Sequence, residues 1–228
     1  MRRVLFLVAA ILFLADGAFA QIPVPSAPVP GAAQKTFKDR HYGVEFVVPP
    51  GWSLAKKDGQ VSTFRLDARS ATSKAEMRAV SSMEFNPFPL STLGGAFFYY
   101  SVQRHTNDAE CAQQATGVGR ADATPIGGMD FNHGHDEHGD MCVESRDEVF
   151  TAFRKGSCFR FDLTVNTFCS VSSGAQEMSK RQMRDIEGRM ERILDSVVFA
   201  GVKKGTKPPV GPGRRPLTAA MGVGDSRS

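Results

Sequence analysis

Apolar positions follow three rhythms along this chain: an unbroken run over residues 4–14, two-residue alternation through the middle, and three-to-four-residue steps near residue 190. Val44–Val48 is β-branched and aromatic, and Pro49-Pro50-Gly51 closes it as a turn, which predicts a strand. Residues 61–66 and 77–85 read as further strands, the second ended by Pro87 and Pro89. After Ser91, the spacing of Leu93, Phe97, Phe98 and Val102 predicts a helix whose first turn is weakened by Gly94 and Gly95. Asn107 with Glu110 three residues on resembles a capping box that opens a short helix carrying Cys111. Long strands follow at about 142–153 and 158–168, joined at Lys155-Gly156. In the second, Phe159, Phe161, Leu163 and Val165 alternate with Arg160, Asp162 and Thr164.

The strongest helical pattern covers residues 175–194, where Met183, Ile186, Met190, Ile193 and Val197 form one apolar stripe. Residues 197–199 then read as a short closing strand. Strands, a helix, a long hairpin, a helix and a strand define an α+β layout with a mostly antiparallel sheet.

The apolar run of residues 4–14 follows Arg2 and Arg3 and precedes Ala18-Phe19-Ala20, the pattern of a signal peptide cleaved before Gln21. It is too short to span a bilayer, which takes about 20 residues, so no transmembrane segment is expected after processing. No cysteine follows the cleavage site, which argues against a lipid anchor. The expected organisation is a signal peptide at 1–20, a Pro-rich linker at 21–34, one domain at 35–200 and a disordered basic tail at 201–228. Charge changes this picture little. The tail carries +5 and the leader +1 of the formal +4, which leaves residues 21–200 at −2. A domain so nearly neutral lacks the basic face that nucleic-acid binding needs. The tail itself suits weak contact with anionic surfaces. The expected location is periplasmic or secreted.

The segment Tyr42-Gly43-Val44-Glu45-Phe46-Val47-Val48-Pro49-Pro50-Gly51-Trp52, with a closing helix and Asp195-Ser196-Val197-Val198-Phe199, resembles the PsbP-like α/β/α sandwich family over about residues 36–200. The resemblance implies that fold and an exported, non-enzymatic accessory or binding role. It carries over no catalytic residue.

Four cysteines in an exported chain predict two disulfides. Residues 158–166 in one strand cover roughly 26 Å, against the ~5.5 Å that a disulfide bridges, so Cys158 with Cys169 is disfavoured. A two-residue turn at Lys155-Gly156 sets Phe150 against Phe161 and extrapolates to Cys142 against Cys169, leaving Cys111 for Cys158. The same register places Glu148 opposite Leu163, and a bulge relieving that mismatch would favour Cys111 with Cys169 instead.

Residues 132–140 hold three imidazoles (His133, His135, His138) beside Asp136, Glu137 and Asp140. If extended, His133 and His135 share a side, and His138 could fold back through a turn. Such a set suits zinc, nickel or copper, with Met129 and Met141 as nearby soft donors. The plainer expectation is a polar hairpin loop kept solvated by its charges and glycines. His41 and His105 stand alone. No Gly-x-Ser-x-Gly elbow, His-Glu-x-x-His helix or P-loop is present. The glycines at Thr116-Gly117-Val118-Gly119-Arg120 lack a strand-then-helix context, and Trp52 reads as a lid on the core. The sequence thus points to a non-catalytic exported binding or accessory protein with no catalytic or cofactor-binding residue assigned. Metal handling by His133, His135 and His138, or an unrecognised hydrolase, are the alternatives.

Overall fold

The alternating segment around Phe161 becomes the spine of the molecule. The computed structural model describes residues 33–56, 75–115, 122–140, 142–170 and 174–202. The leader, most of the linker, the strand expected at 61–66, Thr116-Gly117-Val118-Gly119-Arg120, Met141 and the tail beyond residue 202 lie outside them. Strands β7 (Val143–Arg154) and β8 (Ser157–Phe168) form a hairpin whose two turn residues, Lys155 and Gly156, have φ of 49° and 77°. Two positive φ values in a two-residue loop match the right-handed twist of the strands it joins. The hairpin keeps the expected register throughout, with Phe150 opposite Phe161 and Val143 opposite Phe168. Glu148 does lie opposite Leu163, with no bulge.

On its other side β8 pairs with β4 (Leu93–Arg104), so the helix expected after Ser91 is a strand. Its steps of four were incidental to a run of four consecutive aromatics, Phe97, Phe98, Tyr99 and Tyr100. A strand buried on both faces reads as such a continuous apolar run, and aromatics favour a pleated surface. With β3 (Glu76–Ser82), β5 (Asp122–Ile126) and β6 (Met129–Asp140), these strands form an antiparallel sheet in the order β3-β4-β8-β7-β6-β5. Residues 132–140, expected as a hairpin loop, therefore lie inside a twelve-residue strand.

A smaller sheet, β1 (Lys35–Asp39), β2 (Val44–Val48) and β9 (Val198–Phe199), pairs antiparallel in the order β1-β2-β9. Its inward residues Phe37, Val44, Phe46 and Val48 pack on Phe98, Tyr100 and Phe161 of the larger sheet. Ring centroids lie 5.2 Å apart for both Phe46–Phe98 and Tyr100–Phe161, at distances where aromatic pairs attract beyond their burial. Trp52 closes this core, as expected. Helix α1 (Asp108–Gln113) opens at Asn107, whose side chain accepts from the Glu110 N–H. Helix α2 (Lys180–Asp195) opens later than the sequence suggested, at a capping box formed by Ser179 and Gln182. Its stripe, Met183, Ile186, Met190 and Ile193, is buried in the same core. The result is an α+β fold: α2 and the small sheet cover one face of the large sheet, and α1 sits on the other. Among the described residues, no helix is long and apolar enough to cross a membrane.

Asp39 ties the two sheets together. Its carboxylate accepts from the backbone N–H groups of His41 and Tyr42 in the β1–β2 turn, and from Arg78 Nε of β3 at 2.8 Å. Burial alone would raise the Asp39 carboxyl, but the Arg78 hydrogen bond and the turn's N–H groups outweigh it and hold the group below its usual range.

Both disulfides are formed as the unbulged register implied: Cys111–Cys158 and Cys142–Cys169, with Cα atoms 5.3 and 4.9 Å apart. The first fastens α1 to the large sheet. At the end of α1 the backbone approaches so closely that a Cβ on Gly134 would overlap the Ala115 carbonyl oxygen. Gly134→Ala is expected to cost about 1–3 kcal/mol, as overpacked sites do. Urea denaturation measures it, and an unchanged midpoint would disprove the close approach of α1 to β6.

Candidate functional site

Strand β6 carries chemistry on both faces because side chains alternate along it. Its odd-numbered residues face the side covered by α2. There His133 Nε2 and His135 Nδ1 both contact Glu148, at 2.6 Å to Oε2 and 2.9 Å to Oε1. The His133 ring stacks on Phe150 with centroids 4.3 Å apart. Arg146 donates to Glu137 at 2.9 Å beside them. The mismatch of Glu148 against Leu163 is thus absorbed by two imidazoles rather than by a bulge.

Electrostatics follows from these contacts. The Glu148 hydrogen bond raises the His135 pKa above its ordinary value, ahead of the opposing effect of burial. Burial would raise Glu148, but the hydrogen bonds from His133 and His135 prevail and lower it. Across from them on α2, burial and then the charge of Glu148 and Glu191 raise the Glu187 carboxyl. A raised His135 stabilises the fold below its unfolded pKa and loses that effect as pH rises through the folded value. A lowered Glu148 stabilises above its unfolded pKa and loses that effect as pH falls through the folded value. The contribution is therefore greatest between the ordinary values of 4.5 and 6.5. Glu148→Gln is expected to cost roughly 1 kcal/mol near pH 5.5, after solvent screening, and less at pH 8.5. Thermal melts across pH measure the difference; an equal loss at both values contradicts the assignment.

The even-numbered residues of β6 face the side where α1 lies, and here the sheet is polar and buried. Arg160 and Asp162 lie two apart on β8 and form a fork, with Nη2 2.7 Å and Nε 2.8 Å from Oδ1. Both side chains are almost fully enclosed, at 3% and 0% exposed. Around them on the same face stand Ser101, Ser145, Asp147, Thr151, Thr164 and Asn166, all buried. The hydroxyls of Ser101, Ser145, Thr151 and Thr164 have no hydrogen-bond partner. Asp136 and His138 extend this face: Asp136 stands directly opposite Asp147, and His138 opposite Ser145.

Of the three expected metal ligands, the structure brings His133 and His135 to one side and sends His138 to the other. Strand geometry persists to residue 140, so His138 does not fold back. Asp147 and Ser145 were not singled out from sequence, and Glu148 only as a mismatch in the hairpin register. Their signal was the register itself, since the hairpin pairing that sets Phe150 against Phe161 also fixes which face each occupies. His41 packs edge-on against Tyr42 with centroids 4.5 Å apart, and His105 is exposed; neither joins either cluster.

The fold and this site together define an α+β protein with two intramolecular disulfides and one buried polar sheet face. No family model matches the chain, and no curated protein does. Similar solved structures include cyanobacterial PsbP (CyanoP) from Synechocystis sp. PCC 6803, at 13% identity and a TM-score of 0.44, covering 78% of this chain and 99% of that one. LpqN of Mycobacterium tuberculosis, described as involved in cell envelope biogenesis, is similar at 11% identity and a TM-score of 0.41, covering 73% and 90%. A Bacteroides thetaiotaomicron VPI-5482 protein is similar at 11% identity and a TM-score of 0.40, covering 77% of this chain and 51% of that one.

Proposed function

We propose that this chain is an exported, non-catalytic binding or accessory protein, and that it binds its ligand on the polar face of the large sheet. The observation that carries this reading is the set of buried hydroxyls on Ser101, Ser145, Thr151 and Thr164 that lack hydrogen-bond partners. Each such group costs about 1–3 kcal/mol when left unsatisfied. Four of them around a buried ion pair suit an interior lined to take up a polar group better than one packed for stability. Export is supported by the leader-like residues 1–20 and by two disulfides, which persist in oxidising compartments. The mature chain then begins at Gln21 in a periplasm or outside the cell, and its basic tail makes weak contacts with anionic surfaces.

A thermal-shift screen of polar metabolites and envelope-polymer fragments on the oxidised chain tests the binding role. At least one compound is expected to raise Tm by several degrees, and Ser145→Ala with Thr164→Val should abolish that rise. A screen in which nothing binds, or in which binding ignores both substitutions, sinks the reading.

A further inference from the structure

We propose that Asp136, His138 and Asp147 form a binding site for a divalent cation of the zinc class, placed on, and presupposing, the binding face described above. One ligand atom from each residue lies within 4.8 Å of the other two. A tetrahedral zinc ion with bonds of about 2.0–2.2 Å sets neighbouring donors roughly 3.3 Å apart, so these atoms need draw in by no more than about 1.5 Å. The backbone is already in place. Asp136 and His138 are two apart on β6 and project from the same face, while Asp147 faces Asp136 directly across the ladder.

Two carboxylates directly opposite each other on a ladder repel, and a cation between them turns that repulsion into attraction. A second observation points to the same spot. Ser145 is completely buried, its hydroxyl has no hydrogen-bond partner, and it stands opposite His138 and two residues from Asp147. His138 Nδ1 is likewise enclosed without a hydrogen bond, although Asp136 Oδ2 is only 3.5 Å away. An imidazole nitrogen, two carboxylates and an adjacent hydroxyl that can hold a bound water make a borderline-to-hard donor set. It suits zinc or manganese rather than a thiophilic ion such as copper(I). His133 and His135, on the opposite face, are engaged by Glu148 and take no part.

Calorimetric titration of zinc chloride into the oxidised, chelator-stripped chain tests the site, with native mass spectrometry for stoichiometry and near-ultraviolet circular dichroism to verify folding. One equivalent is expected to bind. Asp136→Asn and the partly exposed His138→Gln should each weaken binding at least tenfold, whereas the double variant His133→Gln with His135→Gln should bind as the unaltered chain does. Absence of uptake, uptake indifferent to Asp136 and His138, or uptake lost with His133 and His135 each overturns the site. A polar compound that still shifts Tm when zinc does not bind removes the metal site alone and leaves the binding face standing.

Discussion

Asp162→Asn is expected to destabilise the protein by about 3–5 kcal/mol, because it strands the Arg160 guanidinium in the interior without its counter-charge. For a domain of this size that is a fall in Tm of roughly 6–20 °C. The expectation follows from burial more than from bond strength. An exposed pair of the same geometry contributes about 0–1 kcal/mol, since water replaces the lost partner. Here Asp162 is wholly enclosed, and Arg160 reaches it through both Nε and Nη2. A paired replacement separates the two contributions. Arg160→Met with Asp162→Leu removes both charges together and should recover most of the stability, because an apolar pair has no desolvation cost. Urea unfolding of the two variants beside the unaltered chain measures this. A loss under ~1 kcal/mol for Asp162→Asn, or a double variant as unstable as the single one, would show that water reaches the pair.

The second large effect is expected from the disulfides. Cys111–Cys158 joins residues 47 apart and Cys142–Cys169 residues 27 apart. Chain entropy of the unfolded state gives about 4 kcal/mol for the longer loop and about 3.6 kcal/mol for the shorter. Cys111→Ala with Cys158→Ala should therefore cost about 4 kcal/mol. It should also free α1, a six-residue helix too short to persist without tertiary support. Hydrogen exchange is expected to show protection lost first at residues 108–113, while β7 and β8 keep theirs. Cys142→Ala with Cys169→Ala should instead loosen the far end of the β7–β8 hairpin. Equal exchange at α1 with and without the first disulfide would falsify the anchoring role.

What was legible in the sequence was whatever a single periodicity could decide. The alternation of Phe159, Phe161, Leu163 and Val165 marked β8, and the Lys155-Gly156 turn carried the register across to both disulfides. The stripe from Met183 to Ile193 marked α2, although its start awaited the Ser179 cap. Elsewhere two rhythms competed. Leu93, Phe97, Phe98 and Val102 match helical steps, yet Phe98 and Tyr100 face one core while Phe97 and Tyr99 pack with Val80 on the other side. Only tertiary burial on both faces decides for the strand. In β6, glycines and charges suggested a loop because no apolar residue follows Phe131. The partners that make it a strand are supplied by β7, where Glu148 and Arg146 meet its histidines and Glu137. The polar face was hidden for a similar reason. The alternation of Arg160, Asp162 and Thr164 with apolar residues does not say what covers them, and only the three-dimensional arrangement shows them enclosed.

The margins of the large sheet bear on how copies of this protein behave together. One outer strand, β5, is only five residues long and contains Pro125, which offers no N–H to a passing strand. The opposite one, β3, is interrupted between Met77 and Ala79, and bridges from Trp52 to Met83 and from Ala55 to Val80 lie along its outer side. Unpaired, flat margins are the templates on which secreted β-rich proteins join edge to edge into fibres. Among the described residues both margins of the large sheet are blunted in this way, which disfavours edge-to-edge pairing through it.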